Sequence, residues 1–250
     1  MLNPFFENIG SAVILTFRSL RHLPSLHRQF KRFLDHCWFT GYATVPLVAL
    51  LSASIGAVLA LQIAFSLREL QINEYIGSII GVAMVRELGP VMTAIMVAGR
   101  VGSATTAEIA SMRVYQEVDA LTTMNIPPER FLVTPRLAAI ITVMPILAMV
   151  SIVTGWIGGQ IVIELVPWID LSSQVYYRSL RDFVDADALF DGLVKAEIFG
   201  IIIIIVSSHI GLRTRGGPRE IGQSVTRAVV TCITLILVVD YFVTNLLLQI

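Results

Sequence analysis

The sequence predicts an all-α integral membrane protein: five transmembrane helices preceded by an N-terminal amphipathic helix lying in the interface. Three observations predict it. Of 250 residues, 55% are hydrophobic and only 14% charged, whereas soluble domains carry about 25% charged residues. With a mean hydropathy of +0.77, the chain cannot cover a water-facing surface. Apolar runs recur at the roughly 20-residue length that a bilayer core demands, and the basic residues collect in alternate loops.

Residues 1–36 make the first unit. Glu7, Ser11, Arg18, His22, Ser25 and Gln29 recur at helical spacing, opposite Phe6, Ile9, Val13, Phe17 and Leu20. Leu15 interrupts the polar face, and Pro24 should break or bend the helix. The pattern suits a helix in the cytoplasmic interface; a soluble amphipathic helix packed on a partner is the alternative. The opening MLNPFFENIG has no positive n-region and no small-residue cleavage site, so no cleaved signal peptide is expected.

Residues 37–250 make the transmembrane domain, with spans expected at 45–67, 76–99, 137–163, 193–212 and 228–249. Residues 37–67 and 137–163 contain no Asp, Glu, Lys or Arg, and Pro145 is a candidate bend in the second of these runs. The other three spans tolerate charge. Net charge is zero, so its distribution decides orientation. Arg18, Arg21, Arg28, Lys31 and Arg32 precede the first span; Arg113, Arg130 and Arg136 fall in the second loop; Arg213, Arg215, Arg219 and Arg227 fall in the fourth. Those twelve positives lie on one side, against Arg68, Arg178 and Arg181 with Asp170, Asp182, Asp185, Asp187 and Asp191 on the other. The N-terminus is therefore expected in the cytoplasm and the C-terminus outside.

Charges inside the spans are the informative residues. Each costs about 2.5–3.5 kcal/mol at the bilayer centre on insertion scales. Arg86 stands about eleven residues into its span, roughly 16 Å at the helical rise, and Asp240 is comparably deep from the cytoplasmic side. Lys195 and Glu197 are expected near the outer end of the fourth span, where Lys195 can snorkel. Two readings stand: these charges pair and staple the bundle, or they line a polar substrate path. Neighbouring helical residues point about 100° apart, so Arg86 and Glu87 do not face one another. Arg86 is expected to pair with Asp240, leaving Glu87 facing the path.

Small residues also repeat. Ser52, Gly56, Ala60 and Ala64 recur every four residues, as do Ala94, Ala98 and Gly102, with Gly99 beside them. Gly77–Gly81 and Gly155–Gly159 are GxxxG pairs. Such faces bring helix backbones close together; a ligand-facing role is the alternative.

Ordinary catalytic signatures are absent. There is no G-x-x-x-x-G-K-[ST], and GRVGSATT lacks the lysine that reaches a phosphate. No G-x-S-x-G occurs, and His22, His27, His36 and His209 show no metal-ligand spacing. Cys37 and Cys232 sit in apolar runs. No catalytic residue, no metal, no cofactor and no nucleic-acid partner is expected. Between the second and third spans, a short helix at about 113–126, closed by Pro127 and Pro128, can act as a lever for a cytoplasmic partner.

The stretch RELGPVMTAIMVAGRVGSATTAEIASM, continuing through QEVDALTTM, closely resembles the signature of the MlaE/YrbE permease family. Those proteins are membrane subunits of ABC transporters that work with MCE (mammalian cell entry) proteins on lipids. GAVLALQ at 56–62 and LVVDYFVTNLL at 237–247 resemble further family segments, so the likeness runs from about residue 45 to the C-terminus. The resemblance implies an MlaE-like permease fold in the bacterial inner membrane and a homodimer bound to two cytoplasmic ATPase subunits. ATP and Mg belong to those subunits. A periplasmic MCE protein stands outside, and a small STAS-domain protein binds the ATPases. The cargo is phospholipid or a related lipid, moved between inner and outer membranes. By the same resemblance, the short helix couples to the ATPase through Glu117, Asp119, Leu121 and Met124. Glu87, Lys195 and Asp240 fall where the family keeps functionally sensitive charges; with Arg86 they are the expected substrate-path or buried-charge set, and Leu59, Ile63 and Leu67 are expected to line the lipid cavity. An ion-coupled secondary transporter would also hold charge at depth, though no internal hydropathy repeat is found. A structural anchor for an MCE assembly is the other rival, and it needs no buried charge.

Overall fold

The computed structural model describes residues 3–22, 29–68, 72–247 and 249. Among them the regular structure is entirely helical. In chain order come α1 (Asn3–Arg21), α2 (Phe30–Thr40), α3 (Val45–Leu67), α4 (Ile76–Ala83), α5 (Gly89–Val97) and α6 (Ser103–Val114). They are followed by α7 (Glu117–Thr123), α8 (Thr134–Leu165), α9 (Ser173–Phe183), α10 (Ala186–Arg213) and α11 (Pro218–Leu247). By length and composition four helical stretches can cross a membrane: Phe30–Leu67, Asn73–Val114, Glu129–Leu165 and Pro218–Leu247. The remaining expected span, 193–212, lies inside α10, a continuous helix of 28 residues.

The first stretch contains the expected span, 45–67, as α3, and adds α2 ahead of it. α2 runs straight through residue 36, and a tight turn from Gly41 to Thr44 joins it to α3, with Gly41 N donating to Cys37 O at 2.8 Å. Pro46 falls in the first turn of α3, where its missing N–H is no loss. The second stretch ends later than residue 99: α4, α5 and α6 form one helical rod that reaches Val114, interrupted by π-helical turns at Met84–Leu88 and Ala98–Gly102. Pro90 explains the first interruption. It has no N–H for the carbonyl of Arg86, four residues back, so the α-ladder cannot run through. In α8 the helix continues across Pro145.

Close backbone approach sets the packing. α3 lies along α8 with only small residues between them, and at two glycines the backbones meet. A Cβ on Gly56 would stand 1.9 Å from Gly155 O, and one on Gly158 would stand 2.0 Å from Ala53 O. Ser52 and Ser151 share a hydrogen bond of 2.7 Å in the same seam, and Ala60 and Ala64 are fully buried there. The GxxxG pair Gly77–Gly81 receives α9 rather than another span: a Cβ on Gly77 would meet Tyr176 O at 2.4 Å. Tyr176 is buried, donates to Trp156 O at 3.0 Å, and its burial pushes the phenol above its ordinary value. α10 is the central helix, packed on α5, α6, α8 and α11. Gly102 abuts it, a Cβ there coming within 3.0 Å of Ser207 Oγ. Gly99 does not serve this purpose. It is exposed, and a Cβ there would touch nothing within 4 Å, because it directly follows Ala98 and so points about 100° away from the packed face.

α1 is amphipathic with two apolar sides. Leu15 and Ser19 are buried against the bundle, so the residue that interrupts the polar face is the anchor. Val13, Phe17 and Leu20 remain exposed, Phe17 at 71%. Arg18 reaches Glu129 at 3.2 Å. The side chains of Phe6, Glu7 and Ile9, and Pro24, Ser25, His27 and Arg28 altogether, lie outside the described residues.

Candidate functional site

Pro90 deprives the carbonyl of Arg86 of its α-helical donor, and the fold supplies a lysine. Gly192 of α10 presses directly on the rod, where a Cβ would stand 2.2 Å from Val85 O. That contact carries Lys195, one turn further along, into the gap. Its side chain is 3% exposed. Nζ donates to Arg86 O at 2.9 Å, to Glu87 Oε1 at 2.8 Å and to Thr244 Oγ1 at 2.6 Å. The ammonium thereby uses all three of its donors. Thr244 Oγ1 in turn donates a hydrogen bond to Glu87 Oε1 at 3.3 Å. Asp240, one turn before Thr244 on the same face of α11, lies 3.4 Å from Nζ. This is an ionic contact rather than a hydrogen bond, and Asp240 Oδ1 is otherwise unbonded.

The cluster thus holds one buried cation and two carboxylates that are less buried, Glu87 at 40% and Asp240 at 20% exposure. Arg86 turns the other way. It is exposed at the bundle surface and makes no ion pair among the described residues. The expected Arg86–Asp240 pair is therefore corrected: Lys195 takes both acids, and Glu87 is engaged rather than free. Two physical causes explain the difference. α10 begins at Ala186 rather than 193, so Lys195 sits well inside the helix instead of at its outer end. Pro90 also creates an acceptor at Arg86 O that a lysine can fill from a neighbouring helix. Glu197, on the far side of α10, has both carboxyl oxygens buried and unbonded.

The remaining charges of the RELGPVM…IASM stretch are structural. Arg100 donates to Thr44 Oγ1 at 2.6 Å and stacks over Phe39. Glu108 pairs at 2.7 Å with Arg136, whose side chain is buried. Leu59, Ile63 and Leu67 are partly buried against a cluster that includes Ile76, Ile80 and Tyr176.

The lever helix is shorter than 113–126. α7 spans Glu117–Thr123 between two left-handed residues, Gln116 and Asn125. Val118 is buried and Leu121 packs inward, so these two fasten it to the core. Glu117, Asp119 and Met124 point outward, with Asp119 held by Arg113. Sequence reasoning missed Thr244 and Gly192. Thr244 was findable as the i+4 neighbour of Asp240, and Gly192 as a small residue one turn before a buried lysine.

Comparison with known proteins identifies the family. A family profile described as permease MlaE matches residues 33–246. A probable ABC transporter permease protein of Rickettsia felis is 35% identical over 242 residues, covering 97% of this chain and 93% of its own. One from Synechocystis sp. is 31% identical over 248 residues, covering 99% and 94%, and one from Pyropia yezoensis is 30% identical over the same shares. These relatives are named as permeases, not enzymes. With the rod, the lysine cluster and the lever helix all inside the matched region, the chain belongs to the MlaE permease family.

Proposed function

We propose that this chain is the permease subunit of an ABC transporter that moves phospholipid or a related lipid between the inner and outer membranes of a bacterium. The observation that carries the reading is the cluster around Lys195. It places a buried ammonium and two partly exposed carboxylates among apolar helices, where a charged headgroup needs polar partners. On this reading α10 also crosses, giving five spans, a cytoplasmic N-terminus and an external C-terminus in the inner membrane. α1 lies in the cytoplasmic interface, its exposed Val13, Phe17 and Leu20 supporting that placement. α7 docks on one of two ATPase subunits, which bind ATP and Mg, and a small STAS-domain protein attaches to them. A second copy of the permease packs against α11, whose Leu237, Phe242 and Leu246 are more than half exposed. An MCE protein stands on the outer side.

The test is isolation of the complex in mild detergent, followed by lipid mass spectrometry and an ATPase assay. Co-isolated ATPase, bound phospholipid and lipid-stimulated hydrolysis are expected. An ATPase-free preparation that moves its cargo on an ion gradient would overturn the proposal.

A further inference from the structure

A second polar feature lies at the opposite end of α10. A cavity of about 610 Å³ opens where α1, α10 and α11 meet, inside the 300–1,000 Å³ range of ligand pockets. Its inner wall is apolar, from Ala12, Val206 and Ile210. Its mouth is basic: Arg213, Arg215 and Arg227 line it, with Glu220 as the lone acid. Neither Arg215 nor Arg227 takes part in an ion pair among the described residues. His209 lines the same space, and its Nε2 is buried and unbonded. The mouth is built rather than incidental. Gly216, at a φ of 116° that L side chains avoid, turns the chain between the two helices. Thr214 Oγ1 then bonds Ser224 Oγ at 2.8 Å across the entrance.

Apolar walls, an unbonded buried nitrogen and the guanidinium groups of Arg215 and Arg227 together describe a receptor for an amphiphile with an anionic head. Basic pockets between membrane helices on the cytoplasmic side bind such headgroups. His209 is 14 residues beyond Lys195, about 21 Å along the helix, so this is not the cluster described above. We propose that this cavity binds the anionic, phosphate-bearing headgroup of a lipid in the cytoplasmic leaflet, with Arg215 and Arg227 on the phosphate and His209 Nε2 completing the grip. The proposal rests on the orientation in the membrane given above, but not on transport: binding is read directly.

The full-length chain, in its complex and in neutral detergent, is titrated with phosphatidylglycerol, with phosphatidylcholine and with inorganic phosphate, and occupancy is read by native mass spectrometry. Phosphatidylglycerol retention at least tenfold above phosphatidylcholine is expected. The double variant Arg215→Gln/Arg227→Gln should abolish that preference, and Arg215→Lys/Arg227→Lys should keep most of it, which controls for misfolding. Competition by millimolar inorganic phosphate would identify the phosphate group itself as the recognised element, and its failure would show that the acyl chains contribute. Equal retention of both lipids, or a Gln variant that keeps the preference, would overturn the assignment. Loss of transport with intact binding would indict the proposed function and leave this site standing.

Discussion

Replacing Lys195 with Met removes the only cation from a cluster that contains two carboxylates. Glu87 loses its 2.8 Å partner, Asp240 its 3.4 Å counter-charge, and the Arg86 carbonyl its donor. Breaking a buried ion pair from one side costs about 3–5 kcal/mol, chiefly because the stranded charge stays buried. Glu87 is 40% exposed and recovers some hydration, which favours the lower figure. A loss of about 3 kcal/mol corresponds to a fall in melting temperature of roughly 6–12 °C for a chain of this size. Thermal unfolding of the purified protein in one detergent measures it. The triple variant Lys195→Met/Glu87→Gln/Asp240→Asn removes the stranded charges and should recover at least half of the loss. An unshifted Met variant, or a triple variant no more stable than the single one, would refute the idea that Lys195 neutralises these acids.

The other predictions are smaller or more local. Thr244→Val deletes a hydroxyl that bridges Lys195 and Glu87, so it should cost about 1.5–3 kcal/mol, read by the same melt; a neutral effect would mean the bridge is dispensable. Gly56→Leu forces α3 off α8 and should cost at least about 1–3 kcal/mol, whereas Gly99→Leu, with nothing within 4 Å, should leave the melt unchanged. Equal effects at the two glycines would contradict the packing. Glu117→Lys together with Asp119→Lys should release the ATPase or uncouple hydrolysis while the fold survives, since both side chains are exposed. An intact complex with unchanged lipid-stimulated hydrolysis would remove α7 from the coupling role.

Much of this architecture was legible because membrane helices write themselves in hydropathy and small-residue repeats. The seam of Ser52, Gly56, Ala60 and Ala64 is buried as the four-residue spacing required. Helix ends were less legible. Asp187 and Asp191 made the start of α10 look like loop, yet acidic residues are favourable in a helix's first turns, and the missing residues moved Lys195 from the edge to the interior. The site was misassigned for a related reason. Depth counting treats a helix as uniform, whereas Pro90 makes a local vacancy at Arg86 O that selects a donor from another helix. Gly99 failed as a packing residue because it adjoins Ala98 rather than sharing its four-residue row, so it stands off the packed face.

The most direct test of the central claim is ATP-dependent lipid transfer by the reconstituted complex, comparing wild type with the triple variant Lys195→Met/Glu87→Gln/Asp240→Asn. The triple variant keeps a packed bundle but no charge at the cluster. It should fold, bind the ATPase and hydrolyse ATP, yet transfer lipid at least tenfold more slowly. Wild-type transfer rates from a folded triple variant would show that the cluster only staples the helices, and that the lipid path lies elsewhere.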